Sequence, residues 1–449
     1  MRPLSRLSLV SVLAVAPGLL GAASSVAAQA PKSAPPTAAG AQQAAIDKAA
    51  EVILPKVVAW RRDFHEHPEL GNSEVRTAKI VADELLALGF EVKTGVAKTG
   101  VVGLLRGGKP GPVVALRSDM DGLPVTEEVD LPFKSKATAM WAGQQTGVMH
   151  ACGHDNHLAI LLGTAHVLAA QKATLAGTVK FIFQPAEEGA PPGEEGGAGL
   201  MVKEGVLENP KVDAIFGLHV FPMETGTVAW RSRGIMAAGD RFEIVVRGRQ
   251  THGAQPWNGV DPIVTGSQIV LGLQTLVSRQ VDLTVAPAIV TIGAFNGGNR
   301  HNIIPDEAKL IGTLRTYDPA MREMLIERIK RTATLIAQSA GASAEVVFNQ
   351  GLPVTWNDPA LTAKMDATLR RVGGAKAMPD VNPSTTSEDF SFFQQKVPGV
   401  FFFLGVTPKG TPPADIYVNH SPRFFADEAA LITGVRALSN LAVDYLNAK

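Results

Sequence analysis

The chain has 449 residues, 45% of them hydrophobic and 19% charged, which allows two domains with full cores and excludes a chain disordered by composition. Lysine plus arginine equals aspartate plus glutamate at 42 each, so there is no basic excess for a phosphate backbone and nucleic acid is excluded as a partner. One cysteine excludes an intramolecular disulfide.

Residues 1–30 have the pattern of a secretory signal peptide. Arg2 and Arg6 make a positive start, Leu7 to Leu20 is apolar, and Ala28-Gln29-Ala30 offers a small-residue cleavage site. The expectation is a periplasmic or secreted protein without a stable membrane anchor, because no other segment approaches a transmembrane length. Residues 31–45, rich in Pro, Ala and Gln, are expected to form a flexible N-terminal segment.

Ala45 to Leu70 carries a helical pattern ending at His67-Pro68-Glu69-Leu70, and Ser73 to Leu88 predicts a second amphipathic helix with Gly89 at its C-cap. Apolar runs at Pro112 to Leu116, Val179 to Phe183, Ala214 to Leu218 and Val400 to Leu404, with helical stretches between, predict buried parallel strands. The fold class is therefore α/β, with a mostly parallel central sheet flanked by helices. Polar residues follow the first three runs: Asp119 and Asp121, then Glu187 and Glu188, then His219, the last read as ending its strand. Ligands bind beyond the carboxyl ends of such strands.

Residues 234–347 differ in texture. An alternating strand at Arg241 to Arg247 precedes a helix from Asp261 to about Ser278, two strand-like runs ending near Arg315, and a helix over Ala320 to Ser339. That order predicts a ferredoxin-like α+β module inserted between a first catalytic part, residues 46–233, and a second, residues 348–449.

The chemistry concentrates in Val148-Met149-His150-Ala151-Cys152-Gly153-His154-Asp155-Asn156-His157, where the one thiol has three histidines around it. Adjacent carboxylates at Glu187 and Glu188, after a buried strand, divide labour between metal ligand and base. With His219 and His420, the residues Cys152, His154 and Glu188 offer five N, O and S donors, more than one tetrahedral ion needs once water is included. Two divalent metal ions are implied. A water that they share has a lowered pKa, and Glu187 is placed to take its proton and hand it to a leaving nitrogen. Zinc, manganese, cobalt and nickel all suit this donor set.

These residues lie in motifs that resemble the M20 metallopeptidases, in particular the amidohydrolase branch containing hippurate hydrolases, aminoacylase-like enzymes and indole-acetyl-amino acid hydrolases. The motifs are His65-Glu66-His67-Pro68-Glu69-Leu70, Arg117-Ser118-Asp119-Met120-Asp121-Gly122, Met149 to Asp155, Gln184-Pro185-Ala186-Glu187-Glu188-Gly189, Gly217-Leu218-His219, Asn302 to Ala308, and Ser387-Glu388-Asp389-Phe390. The resemblance covers roughly Ile46 to the C-terminus. It implies that Cys152, His154, Glu188, His219 and His420 bind two metals, that Glu187 is the general base, and that Asp121 orients a metal-binding group. Asp121 also reads as a plain turn residue, and His157 as a packed one.

The inserted module resembles this family's lid and dimerisation domain, so a homodimer through it is expected. His252, in Thr251-His252-Gly253-Ala254, falls where such lids carry a histidine that reaches the scissile carbonyl, although Gln250-Thr251 stands where two glycines are usual. Asn302 and Arg315 are expected to bind a substrate carboxylate, with a strand-edge salt bridge the other reading of Arg315. Trp257, Phe295 and Trp356 read either as lining the pocket between lid and catalytic domain or as core packing residues, and packing is the reading preferred.

The function expected is hydrolysis of the amide of an N-acyl amino acid, with short peptides cleaved by a carboxypeptidase or dipeptidase as the alternative. A non-catalytic binding protein has no use for Glu187. A serine or cysteine hydrolase leaves Glu188, His219 and His420 without a shared purpose.

Overall fold

Four adjacent parallel strands carry the site, and they contain the four apolar runs: Ala176–Gln184, Lys109–Asp119, Ala214–Glu224 and Gly399–Thr407, in that spatial order. They belong to a computed structural model in which residues 38–448 are described; residues 1–30, read as a signal, lie outside the described residues. Antiparallel neighbours extend the sheet on both sides, Gly100–Arg106 and Glu91–Val96 on one, Val228–Trp230 on the other, where Ala377–Pro379 adds a last parallel pairing. The central strands are apolar on both faces because both are covered, as parallel sheets require.

One face packs against helices Ala38–Glu66, Val75–Ala87, His154–Ala169, Pro359–Gly373 and Leu431–Asn447 through a core that includes Phe64, Leu116, Phe181, Phe216 and Leu438. The other is covered by a core around Met201, Ile235, Phe390, Phe393 and Phe401. The helix His154–Ala169 is buried nearly all round, which explains its uniformly apolar sequence after the first turn. The helix Ala38–Glu66 begins inside the stretch expected to be flexible through residue 45, so that expectation fails for residues 38–45. Their Ala-rich composition suits a helix as well as a linker. No helix among the described residues is long and apolar enough to cross a membrane.

A second, smaller sheet has the order Ala288–Gly297, Glu307–Thr316, Ala238–Arg247, Ser343–Leu352, all antiparallel. With helices Pro262–Gln280 and Pro319–Ser339 on one side it is a ferredoxin-like module with its own core of Phe242, Ile244, Leu273, Leu310, Leu325 and Ile329. Both helices start at an Asp-Pro pair. Asp261 accepts from the Ile263 and Val264 amides, and Asp318 from that of Met321, so the caps are written in the sequence. The last strand of the module runs to Leu352, past the boundary at 347 read from texture, because strand pairing with Gly239 continues there.

Candidate metal centre

Cys152 and His154 are placed by a turn into the buried helix. Gly153 between them has φ +96°, and a Cβ there would lie 2.4 Å from a Val220 methyl, so no side chain fits where this turn meets the neighbouring strand. His219 lies on that strand. The strand continues to Glu224, so His219 stands within it rather than at its end.

The histidines are oriented by their other nitrogens. His154 Nδ1–H donates to the Asp121 carbonyl at 2.9 Å, and His219 Nδ1–H to the Val220 carbonyl at 2.7 Å. Each therefore presents the lone pair of Nε2 inward. His420 arrives from a loop pinned by its own amide on the Ala151 carbonyl at 2.9 Å and by Asn419, whose side chain donates to the Cys152 carbonyl at 2.8 Å. Cys152 Sγ is 3.3 Å from Nε2 of both His219 and His420, and His420 Nε2 is 2.8 Å from Glu188 Oε1. The side chain of His420 is 54% exposed and marks the mouth of the site.

Two donor triads result, each compact enough for one ion: Cys152 with His154 and His219, and Cys152 with Glu188 and His420. Their shared member is the thiol. Three further observations fit cations here. His154 Nε2 is buried without a hydrogen-bond partner among the described residues. Burial and the charges of Glu188 and Glu187 push the Cys152 thiol well up, so only an arriving cation would make it a thiolate. Burial pushes the His219 imidazole down, which keeps it in the neutral form that ligates.

Asp121, expected beside the ligands, does two things: its carbonyl orients His154, and its Oδ2 accepts the Glu188 amide at 2.9 Å. The turn reading is thereby corrected. His157 is not merely packed either. Its Nδ1 donates to Asp119 at 2.6 Å, its Nε2 accepts the Val220 amide at 2.8 Å, and its ring lies 4.7 Å from that of His219.

Behind the donors, Arg117 is fully buried and meets Asp119 at 2.7 Å, Glu388 at 2.9 Å, Asp389 at 3.0 Å and the Gln184 side-chain Oε1 at 2.9 Å. Glu187 stands against this group, its Oε1 accepting the Asp389 amide at 3.4 Å and its carboxylate grouped with those of Glu388 and Asp389. Burial, then the charges of Glu388, Glu188 and Asp389, hold the Glu187 carboxyl well above the usual range. Arg117, Glu388 and Asp389 were given no role in the sequence, although all three lie in quoted motifs.

In the lid, His252 is exposed on a two-residue strand paired with Ile303–Ile304, and the neighbouring Asn302 accepts the Gly253 amide through its carbonyl at 2.8 Å. The two are thus brought together, while the His252 ring accepts the Ala254 amide at 3.0 Å and has no hydrogen bond to the donor triads among the described residues. Asn302 Oδ1 is buried and unpartnered. Arg315 sits where the lid joins the main domain, its Nη1 donating to the Ser387 hydroxyl, with no carboxylate partner among the described residues. Trp257, read as a core residue, is 74% exposed, Phe295 is exposed as well, and Trp356 is only partly buried.

A parallel α/β domain with buried N, O and S donor triads, an adjacent carboxylate and an inserted ferredoxin-like module is the architecture of a metallohydrolase. The chain belongs to Peptidase family M20/M25/M40, which it matches over residues 115–444. It is 41% identical over 396 residues to thermostable carboxypeptidase 1 of Saccharolobus solfataricus, covering 87% of this chain and 95% of the relative. N-acetylcysteine deacetylase of Bacillus subtilis is 39% identical over 390 residues, covering 86% and 96%. Among solved structures, the YXEP protein of Bacillus subtilis, described as a dinuclear metal-binding peptidase of family M20, superposes with a TM-score of 0.74 at 36% identity, covering 89% of this chain and 99% of that one. The protein is a metal-dependent hydrolase of amide bonds.

Proposed function

We propose that the protein is an exported binuclear amidohydrolase that cleaves N-acyl amino acids into a carboxylic acid and the free amino acid. The observation that carries the reading is the membership of Cys152 in both donor triads, with the Glu187 carboxylate beside them. In this reading Cys152, His154 and His219 would hold one ion, and Cys152, Glu188 and His420 the other. Zinc, manganese, cobalt or nickel fits the donors.

Two bound divalent ions supply polarisation of the scissile carbonyl and a lowered pKa for the attacking water. Glu187 accepts the water's proton and delivers it to the departing nitrogen. Its raised proton affinity, caused by burial and the neighbouring carboxylates, suits it to keep that proton until the nitrogen takes it. His252 donates to the oxyanion from the lid, and Asn302 and Arg315 receive the substrate carboxylate.

The deacetylase relative favours N-acyl amino acids. The carboxypeptidase relative favours short peptides as the second reading, since the same groups serve either amide. Dimerisation through the lid is part of the proposal. It is supported by exposed Val264 and Leu271 on the helix Pro262–Gln280 and by exposed Ile289 and Phe295 on the outermost strand of the smaller sheet. Export is proposed from residues 1–30. The deciding assay compares N-acetyl and N-benzoyl amino acids with dipeptides, with and without chelator. Turnover of dipeptides alone would replace the first reading by the second, and chelator-insensitive turnover would remove both.

A further inference from the structure

Glu74 lies outside the donor set and is completely buried, yet no lysine, arginine or histidine among the described residues pairs with it. A carboxylate taken out of water without a cation is costly, and it persists where its oxygens do something the fold needs. Both oxygens of Glu74 are in use. Oε1 accepts the Ala186 amide at 2.8 Å, and Oε2 accepts the Thr99 hydroxyl at 2.5 Å.

Ala186 is the residue immediately before Glu187 and Glu188, and its φ is +49°. An alanine enters that left-handed region only at a cost, so the turn needs an external hold. Two residues on, the Glu188 amide is held by Asp121 Oδ2 at 2.9 Å. Alternate amides of the turn are therefore gripped by two buried carboxylates from separate segments. The chain just before Glu74 presses on the same turn: a Cβ at Gly71 would lie 2.9 Å from the Gly189 carbonyl oxygen and 3.1 Å from Ala186 Cα.

We propose that Glu74 is a positioning residue: by holding the Ala186 amide it keeps the left-handed turn that points Glu187 at the substrate and Glu188 at its ion. The inference rests on the roles proposed above for Glu187 and Glu188. Glu74 touches neither substrate nor metal and acts through the turn.

Three substitutions separate this role from bulk stability. Glu74→Gln keeps an acceptor for the Ala186 amide, Glu74→Met removes it at similar size, and Ala186→Gly removes the cost of the positive φ. Calorimetric titration of the folded apoprotein with Mn²⁺ reads the metal directly, and kcat and KM are measured per folded molecule. Glu74→Met is expected to weaken one of the two Mn²⁺ sites and to lower kcat, each by roughly 10–100-fold, with KM little changed. Glu74→Gln is expected to stay close to the parent protein, and Ala186→Gly added to Glu74→Met to recover most of the loss. Glu74→Asp, which keeps the charge but falls a methylene short of Ala186, carries the same test if the methionine variant does not fold.

Parent-like Mn²⁺ affinity in Glu74→Met, or a defect that Ala186→Gly does not reduce, would overturn the proposal. A parent protein that binds two Mn²⁺ ions but cleaves none of the amides would defeat the hydrolase reading instead, and the calorimetric comparison would still decide the role of Glu74.

Discussion

The Sγ of Cys152 and the Nε2 of His420 lie 3.3 Å apart although 268 positions separate them in the chain. The same sulfur is equally close to His219 on the opposite side. One thiol therefore closes two donor triads.

Cys152→Ser should therefore affect both ions. Metal analysis is expected to fall from two ions per chain to one or fewer, with activity reduced at least as much as the roughly 10–100-fold cost of losing a group that only orients a ligand. A thiol-directed oxidant should inactivate the apoprotein quickly and the metal-loaded protein slowly. Equal sensitivity of the two forms would take Cys152 out of the donor set.

Glu187→Gln removes the base and leaves every donor in place. Two ions should remain bound while kcat falls by about 10²–10⁴-fold, the usual contribution of general acid–base transfer. Near-normal turnover in this variant would refute the assignment.

His252→Ala should lower kcat by about 10²–10³-fold without loss of metal, as expected for removal of one oxyanion donor. Mixing it with Glu187→Gln distinguishes the subunit that each lid serves. Mixed dimers should regain activity when a lid reaches the partner's site, whereas two inactive parents that stay inactive on mixing would show that each lid serves its own subunit or that no dimer forms.

The buried His65 gives a pH-dependent prediction away from the donors. Burial alone lowers its imidazole, but Asp155 at 2.8 Å and Glu127 at 3.1 Å outweigh that and hold it above the ordinary value. A folded pKa above the unfolded one contributes stability that is complete below the unfolded value and disappears as pH rises through the folded value. His65→Gln should therefore be destabilised most at about pH 6, by on the order of 3 kcal/mol, and less at about pH 9. Chemical denaturation at both values checks this, and a deficit that grows with pH would reverse the assigned charge.

The four central strands were readable because each is a short unbroken apolar run, and the Asp-Pro starts of the lid helices because their caps are local. The five donors were readable because Cys, His and Glu stand out against apolar strands. What orients them was not. Arg117, Glu388 and Asp389 meet only after chain segments more than 270 positions apart pack together, and Ala186 gives no sign in its identity of a positive φ. The Glu74 carboxylate is equally mute in sequence, since a glutamate near the start of a helix ordinarily faces water. His157, on its helix, was misread for the same reason: its partner Asp119 comes from a strand 38 positions earlier.

The order of the donors along the chain has a consequence for how the centre fills. Cys152, His154 and His219 all precede the inserted module, whereas His420 follows its last strand, which ends at Leu352. In chain order one triad is complete before the lid begins, and the second needs the chain to have passed through the lid and returned to the main sheet. Two ions held there would have unequal origins: one position would need only the first part of the main domain, and the other would be a product of finished topology.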